Sequence, residues 1–184
     1  MIWKKWFGRE KERQQDLDPL HDLSLDKLQP GYLVDYDLTT WQVTARHRYD
    51  LGDGGGMIEW ELRSGRQTRY LNMEEDDGAV WTWTRKIPLA QIDARLKQLI
   101  MEKGDPPERI DFDGDTYIME SYGGGQFYEH DRGEGIPFLF WDYETEDGEK
   151  VLTIEQWGDT EFEAAVGHYV EEYQFSHILP GAPS

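Results

Sequence analysis

The chain has 184 residues, with 38 acidic against 19 basic side chains, a formal net charge of −19 and no cysteine. So acidic a surface repels phosphate backbones, which argues against nucleic-acid binding, and the missing thiols exclude disulfides, thiolate metal sites and cysteine nucleophiles. The low mean hydropathy of −0.80 would suit a disordered chain, but eight Trp, ten Tyr and seven Phe are the material of a packed core.

The N-terminus differs from the rest. Residues 1–15 carry +3, leaving −22 on the remainder. If Met1-Ile2-Trp3-Lys4-Lys5-Trp6-Phe7 is helical, Trp3, Trp6 and Phe7 share a face beside Lys4 and Lys5. Trp with Lys is the composition of an interfacial anchor, and each basic residue near an anionic surface adds about 1 kcal/mol. Ile2, Trp3, Lys4, Lys5, Trp6 and Phe7 are therefore the membrane-anchor candidates. The alternative is a tail whose aromatics dock on the core or on a partner. The segment does not read as a signal peptide, and no apolar run approaches the roughly 20 residues of a membrane span. With no cysteine to demand an oxidising compartment, the expected location is cytoplasmic, with peripheral attachment to the inner membrane.

From residue 28 the pattern is that of strands. Val34-Asp35-Tyr36-Asp37-Leu38-Thr39-Thr40-Trp41 opens the region, and Gly54-Gly55-Gly56 reads as a flexible hairpin loop. Trp60 and Leu62 then alternate with Glu59 and Glu61, Ser64-Gly65 supplies a turn, and Tyr70-Leu71 returns. Trp81-Thr82-Trp83-Thr84 is a further alternating strand. One helix is expected over Leu89, Ile92, Leu96, Leu99 and Ile100, with Pro88 at its start and Gly104 at its end. Asp105-Pro106-Pro107 breaks the chain.

The next stretch repeats the first. Ile110-Asp111-Phe112-Asp113-Gly114-Asp115-Thr116-Tyr117 matches residues 34–41 at a constant offset. Phe138-Leu139-Phe140-Trp141-Asp142-Tyr143 matches residues 57–62, and Val151-Leu152-Thr153-Ile154-Glu155 matches residues 70–74. The extra residues of the second half fall in the stretch containing Gly123-Gly124-Gly125, again read as a loop. Asp147-Gly148 between alternating runs is a strong hairpin signal. Residues 160–179 stay open. Phe162, Ala165, Val166, Tyr169, Val170 and Tyr173 fit a helix, yet Gly167 interrupts it and Tyr173 and Phe175 alternate like a strand.

These readings predict a mainly β (α+β) fold, in which two pseudo-repeated antiparallel β-meanders form a sandwich or barrel-like body with one connecting helix. The expected organisation is a segment over 1–27, a duplicated domain over 28–179 (halves about 28–104 and 108–179) and a tail over 180–184. The strand Trp60-Glu61-Leu62, the paired strand ending in Tyr70-Leu71, and the tail Glu161…Gly167-His168-Tyr169-Val170 followed by Phe175 resemble the bacterial domain-of-unknown-function family DUF4178 over roughly residues 28–179. That resemblance implies a β-rich fold and no established activity. It also implies an accessory role, since relatives are often encoded near membrane-stress proteins and near enzymes similar to those of polyamine synthesis.

Three acidic groups invite a chemical reading. Asp111, Asp113 and Asp115 resemble the start of a calcium loop, but Thr116 and Tyr122 stand where such a loop needs Gly and Glu. Asp35 and Asp37 occupy the matching place in the first half. These five are cation-binding candidates, with a turn or strand edge as the simpler account. Glu59 with Glu61, and Asp142 with Glu144, project from one strand face at period two. They are either the solvated face of an amphipathic sheet, which is the simpler account, or acid–base carboxyls in an aromatic pocket. His21, His47, His130, His168 and His177 show no metal spacing, and no cofactor motif is present. The expected function is a non-enzymatic adaptor or binding module with a basic protein partner. The alternatives are a cation- or polyamine-binding sensor and an acid–base hydrolase.

Overall fold

The computed structural model describes residues 23–52, 55–75 and 78–182. The first meander comprises β1 (Leu33–Tyr36), β2 (Thr39–Asp50), β3 (Gly56–Ser64), β4 (Gln67–Glu75) and β5 (Ala79–Ile87). After α1 (Leu89–Ile92) and α2 (Leu96–Lys103) comes the second: β6 (Arg109–Phe112), β7 (Asp115–Tyr128), β8 (Ile136–Thr145), β9 (Lys150–Trp157) and β10 (Glu161–Val170). A short β11 (Ser176–Leu179) pairs antiparallel with β1.

All strands join one antiparallel sheet in the order β11-β1-β2-β3-β4-β5-β10-β9-β8-β7-β6, and β2 also pairs with β7. That extra pairing closes β2, β3, β4, β5, β10, β9, β8 and β7 into a ring. Closure pairs every ring strand on both sides and leaves the short β11 and β6 at the ends of the sheet. The blocks matched in the sequence lie on corresponding strands of the two meanders.

Local chemistry explains the hairpins. Asp37 (φ 46°) with Leu38 (φ 59°), and Asp113 (φ 54°) with Gly114 (φ 90°), supply the two positive-φ positions of a tight primed turn. Thr40 Oγ1 donates to Asp35 Oδ1 at 2.5 Å, and Thr116 Oγ1 to Asp111 Oδ1 at 2.6 Å. The paired Asp–Thr motif is thus a cross-strand clasp beside the turn.

A register shift interrupts β2 between Val43 and Ala45, and β7 at the matching place between Met119 and Ser121. The extra residue reverses which side chains face which side of the sheet. Trp41 and Val43 pack in an outer core, whereas His47 and Tyr49 pair with Glu59 and Met57 on the inner face. One long strand therefore serves two environments.

Two apolar cores lie outside the ring, one per meander. The first packs Trp41, Trp60, Leu62, Leu71, Trp81 and Trp83 under Leu25, Leu28 and Phe175. The second packs Trp141, Tyr143, Leu152, Ile154 and Val166 under Leu89, Leu96 and Ile100 of the connecting helices. Trp60 Nε1 donates to the Leu28 carbonyl at 2.8 Å, and Trp141 Nε1 to Asp105 Oδ1 at 3.1 Å, so both buried indoles are satisfied.

One expectation needs correction and two readings are sharpened. The expected connecting helical region is present but broken into α1 and α2: Asp93 adopts an extended backbone (φ −151°), and its Oδ1 accepts the Arg95 N–H at 2.8 Å, a local bond that competes with the helix. Gly123-Gly124-Gly125 is not a loop but lies within β7. A side chain at Gly125 would collide with the Asp50 carbonyl and the Phe138 ring, so glycine there permits the ring to close. Residues 161–170, open between helix and strand in the sequence, form β10; a Cβ at Gly167 would fall far inside contact distance of the Trp83 carbonyl across the β5–β10 seam. The anchor candidates Ile2 to Phe7 lie outside the described residues. Among the described residues no helix is long and apolar enough to cross a membrane.

Candidate functional site

Alternation places one side chain in two of each ring strand on the inner face, and these converge on a cavity of about 390 Å³. Its lining includes Glu59 of β3, Tyr70 and Asn72 of β4, Thr82, Thr84 and Lys86 of β5, Asp142 of β8, and Thr153 and Glu155 of β9. Phe138 and Phe140 supply apolar wall. Near the β2–β7 closure, Phe138 stacks on Trp157 at 5.1 Å and Tyr49 tilts against Phe127 at 4.9 Å.

The cavity holds unusual carboxyls. Glu59 is 7% exposed, and burial raises its pKa to about 7 although the Tyr49 hydroxyl donates to it. Burial and the neighbouring Glu59 push Glu155 to about 8. Asp142 is also raised by burial, even though Thr153 and Ser121 donate to its two oxygens at 2.7 and 3.2 Å. Lys86 Nζ contacts Glu163 Oε2 at 2.5 Å. Burial opposes the charge on Lys86, but Glu59 and Glu163 outweigh it and hold the ammonium protonated.

Asn72 adds a second anomaly. Its Nδ2 donates to Thr82 and Thr84 at 3.3 Å each. Its Oδ1 is buried with no donor, which costs free energy comparable to a lost hydrogen bond.

The sequence candidates separate accordingly. Glu59 and Asp142 turn into the cavity, away from the solvated face that was the simpler expectation. Glu61 is drawn off by Thr44 (2.7 Å) and Arg63 (2.9 Å), and Glu144 accepts from Tyr169 near the cavity. Asp35 is held by Thr40 and faces His177 Nδ1 at 3.1 Å, Asp115 pairs with Lys150 at 2.6 Å, and Asp37 and Asp113 sit in the turns. Among the described residues, no group of three or more His, Asp or Glu side chains is placed to hold a metal ion. Sequence reasoning missed Glu155, Lys86, Glu163 and Asn72. Glu155 stood at the end of a matched block, opposite Glu74, but nothing local showed that it would face Glu59 from the other half.

The arrangement defines a closed antiparallel β-ring around an acidic, aromatic-walled cavity in which burial raises the pKa values of Glu59, Glu155 and Asp142. The chain belongs to the family described as Domain of unknown function (DUF4178), whose profile matches residues 29–172. It is also similar to an uncharacterized protein of Aquifex aeolicus (strain VF5), at 29% identity over 177 residues covering 96% of each chain. No solved structure matches.

Proposed function

We propose that this protein is a binding module whose cavity takes a small organic cation, a polyamine-like amine being the chemistry that fits best. The carrying observation is a set of acids that outnumbers its lining cation. Glu59, Glu155 and Asp142 face a space whose lining cation, Lys86, is already held by Glu163. Buried charges persist when paired, and an ammonium would ionise Glu59 and Glu155. The Tyr and Phe walls suit the methylene stem and the charge of such a ligand. A volume of about 390 Å³ lies within the range of small-molecule pockets.

The test is thermal stabilisation by spermidine and putrescine at low and moderate salt. Site binding predicts stabilisation that survives 150 mM salt and is lost in the Glu59→Gln/Glu155→Gln variant. Attraction to the acidic surface alone would vanish with salt and would leave that variant unaffected; this outcome would sink the proposal. The strongly acidic exterior also supports encounter with a basic protein partner, the chemistry an adaptor would use.

One observation favours a second reading. Two neighbouring carboxyls whose pKa values are raised by burial are also the equipment of acid–base hydrolysis. Turnover of chromogenic glycosides or esters, abolished in Glu155→Gln, would support it; no turnover across the panel would end it.

A further inference from the structure

The two meanders end differently at their outer edges. β1 and β6 occupy corresponding places, since residues 33–36 match residues 109–112 at the offset of the repeat. Each pairs with the following strand in the same register, Asp35↔Thr40 in one half and Asp111↔Thr116 in the other. The far side of β1 is covered by β11, with Leu33↔Leu179 and Asp35↔Ser176. That covering strand comes from the chain beyond β10. The chain beyond β5 instead forms α1 and α2, which roof the second core, so β6 is left at the end of the sheet.

Hydrogen-bond geometry fixes which groups face that free side. In a tight hairpin the residues flanking the two turn positions bond to each other, and the direction of bonding alternates from there. Phe112 and Ile110 therefore bond inward to Asp115 and Tyr117, and the Met119 N–H reaches the Glu108 carbonyl at 2.9 Å in the same phase. The N–H and C=O groups of Arg109 and Asp111 point outward, as do those of Leu33 and Asp35, the two β1 residues that β11 pairs with. Among the described residues, no strand pairs with β6 on that side.

The side chains at the two edges differ as well. Where β1 sets Leu33 against Leu179, β6 carries Arg109, exposed and on the same face as the exposed Asp111. Charges of one sign along an edge would repel a second copy. Opposite charges two residues apart are instead self-complementary in an antiparallel pair.

We propose that β6 is a dimerisation edge, pairing antiparallel with β6 of a second copy about a twofold axis at Ile110. In that register Arg109 of each copy lies opposite Asp111 of the other. The outward N–H and C=O groups of both residues are then satisfied, and opposite charges face each other twice. The contact is isologous, as a twofold requires. The sheet runs from one ring into the next, and two acidic cavities are held in one particle. A seam this short gives a weak, reversible dimer. The charge of −19 on each chain opposes it at long range, a repulsion largely screened at about 0.15 M salt.

The experiment is sedimentation equilibrium of the full chain at about 0.15 M salt, over a wide range of concentration. A reversible monomer–dimer equilibrium is expected. Arg109→Asp and Asp111→Arg each set like charges opposite one another and should weaken it about tenfold or more. Mixed in equal amounts, the two variants should associate with each other as the parent chain does, because a carboxylate then meets a guanidinium at both positions. Asp111→Arg removes the acceptor of the Thr116 hydroxyl, so circular dichroism checks its fold. Arg109→Asp breaks no ion pair of the described residues and tests the pairing by itself if the other variant fails to fold. Glu155→Gln, in the cavity, should dimerise like the parent, which separates this result from the amine reading. A chain that is monomeric at every concentration overturns the dimer and leaves the edge to a strand of another protein. Dimerisation unaffected by Arg109→Asp, or not restored by mixing two folded variants, puts the contact elsewhere and overturns this pairing.

Discussion

Glu59 and Glu155 are carboxyls kept where a charge is poorly solvated, and the energetic consequence has a definite sign. Their folded pKa values, about 7 and about 8, lie above the ordinary carboxyl value of 4.5. Between that value and the folded ones, the native state binds more protons than the unfolded chain, so stability falls as pH rises. The contribution is fully present below about pH 4.5 and is lost through pH 7 to 8. Lys86, Glu163, Glu61, Asp142, Tyr49 and Tyr70 surround the pair and tune it. The melting temperature without ligand should therefore be higher at pH 5 than at pH 8. Glu155→Gln, which cannot ionise, should flatten that dependence; an unchanged slope would show that the pair does not control it. By the same linkage, binding of spermidine at pH 7 should release protons, read as a dependence of the calorimetric heat on buffer ionisation enthalpy.

At the scale of elements, the ring depends on two seams between the meanders, and β2–β7 is the shorter, with three pairs from Arg48↔Tyr128 to Asp50↔Gln126. The additional chain of the second half supports it. Glu129–Asp131 forms a 3-10 turn over β2, the His130 N–H donates to His47 Nδ1 at 3.1 Å, and Asp131 pairs with Arg46 at 2.6 Å and Arg48 at 3.0 Å. Gly125 lets the strands approach, so Gly125→Ala should cost about 1–3 kcal/mol, the usual penalty for overpacking. Urea denaturation measures that loss, and hydrogen exchange should locate its earliest opening at residues 48–50 and 126–128. A neutral effect would mean that the seam tolerates a methyl group. These seams also limited what could be read from sequence. Alternation in Trp60-Glu61-Leu62 and Trp81-Thr82-Trp83-Thr84 announces strands, but the bulges at residues 43–45 and 119–121 reverse facing within a single strand. No two-residue period reveals that reversal.

Over the whole molecule, the first meander's core is finished by the end of the chain. Phe175 stacks on Tyr36 at 4.5 Å and meets Trp83 at 5.8 Å, while Val170 and Phe175 both belong to that core. Phe175→Ala should thus destabilise the protein by about 3 kcal/mol, as for other buried aromatic truncations, and its signature should fall on Trp41 and Trp83. Near-ultraviolet dichroism and a urea midpoint test this; loss confined to the C-terminal strand would contradict it. The proposed anchor at Ile2 to Phe7 belongs to this scale as well. Co-sedimentation with anionic liposomes by the full chain, but not by a chain lacking residues 1–15, is the expected result. Equal behaviour of the two chains would remove the anchor.

By itself the sequence determined the local grammar: two runs of hairpins, turns at Asp-Gly and at the matched Asp motifs, an apolar connecting region starting at Pro88 and ending at Gly104, and a chemistry without thiols. These features are written in neighbouring residues, where φ preference, side-chain period and turn composition act directly. Only the tertiary structure decided that the sheet closes, that the face carrying Glu59 and Asp142 is the inside, and that Lys86 of one meander meets Glu163 of the other. The reason is physical. Period two states that a strand has two faces but not which one a distant strand will cover, and the β5–β10 and β2–β7 pairings join residues far apart in the chain without a local signature. The acidic cavity exists because of those pairings, so it became visible only when the ring was closed.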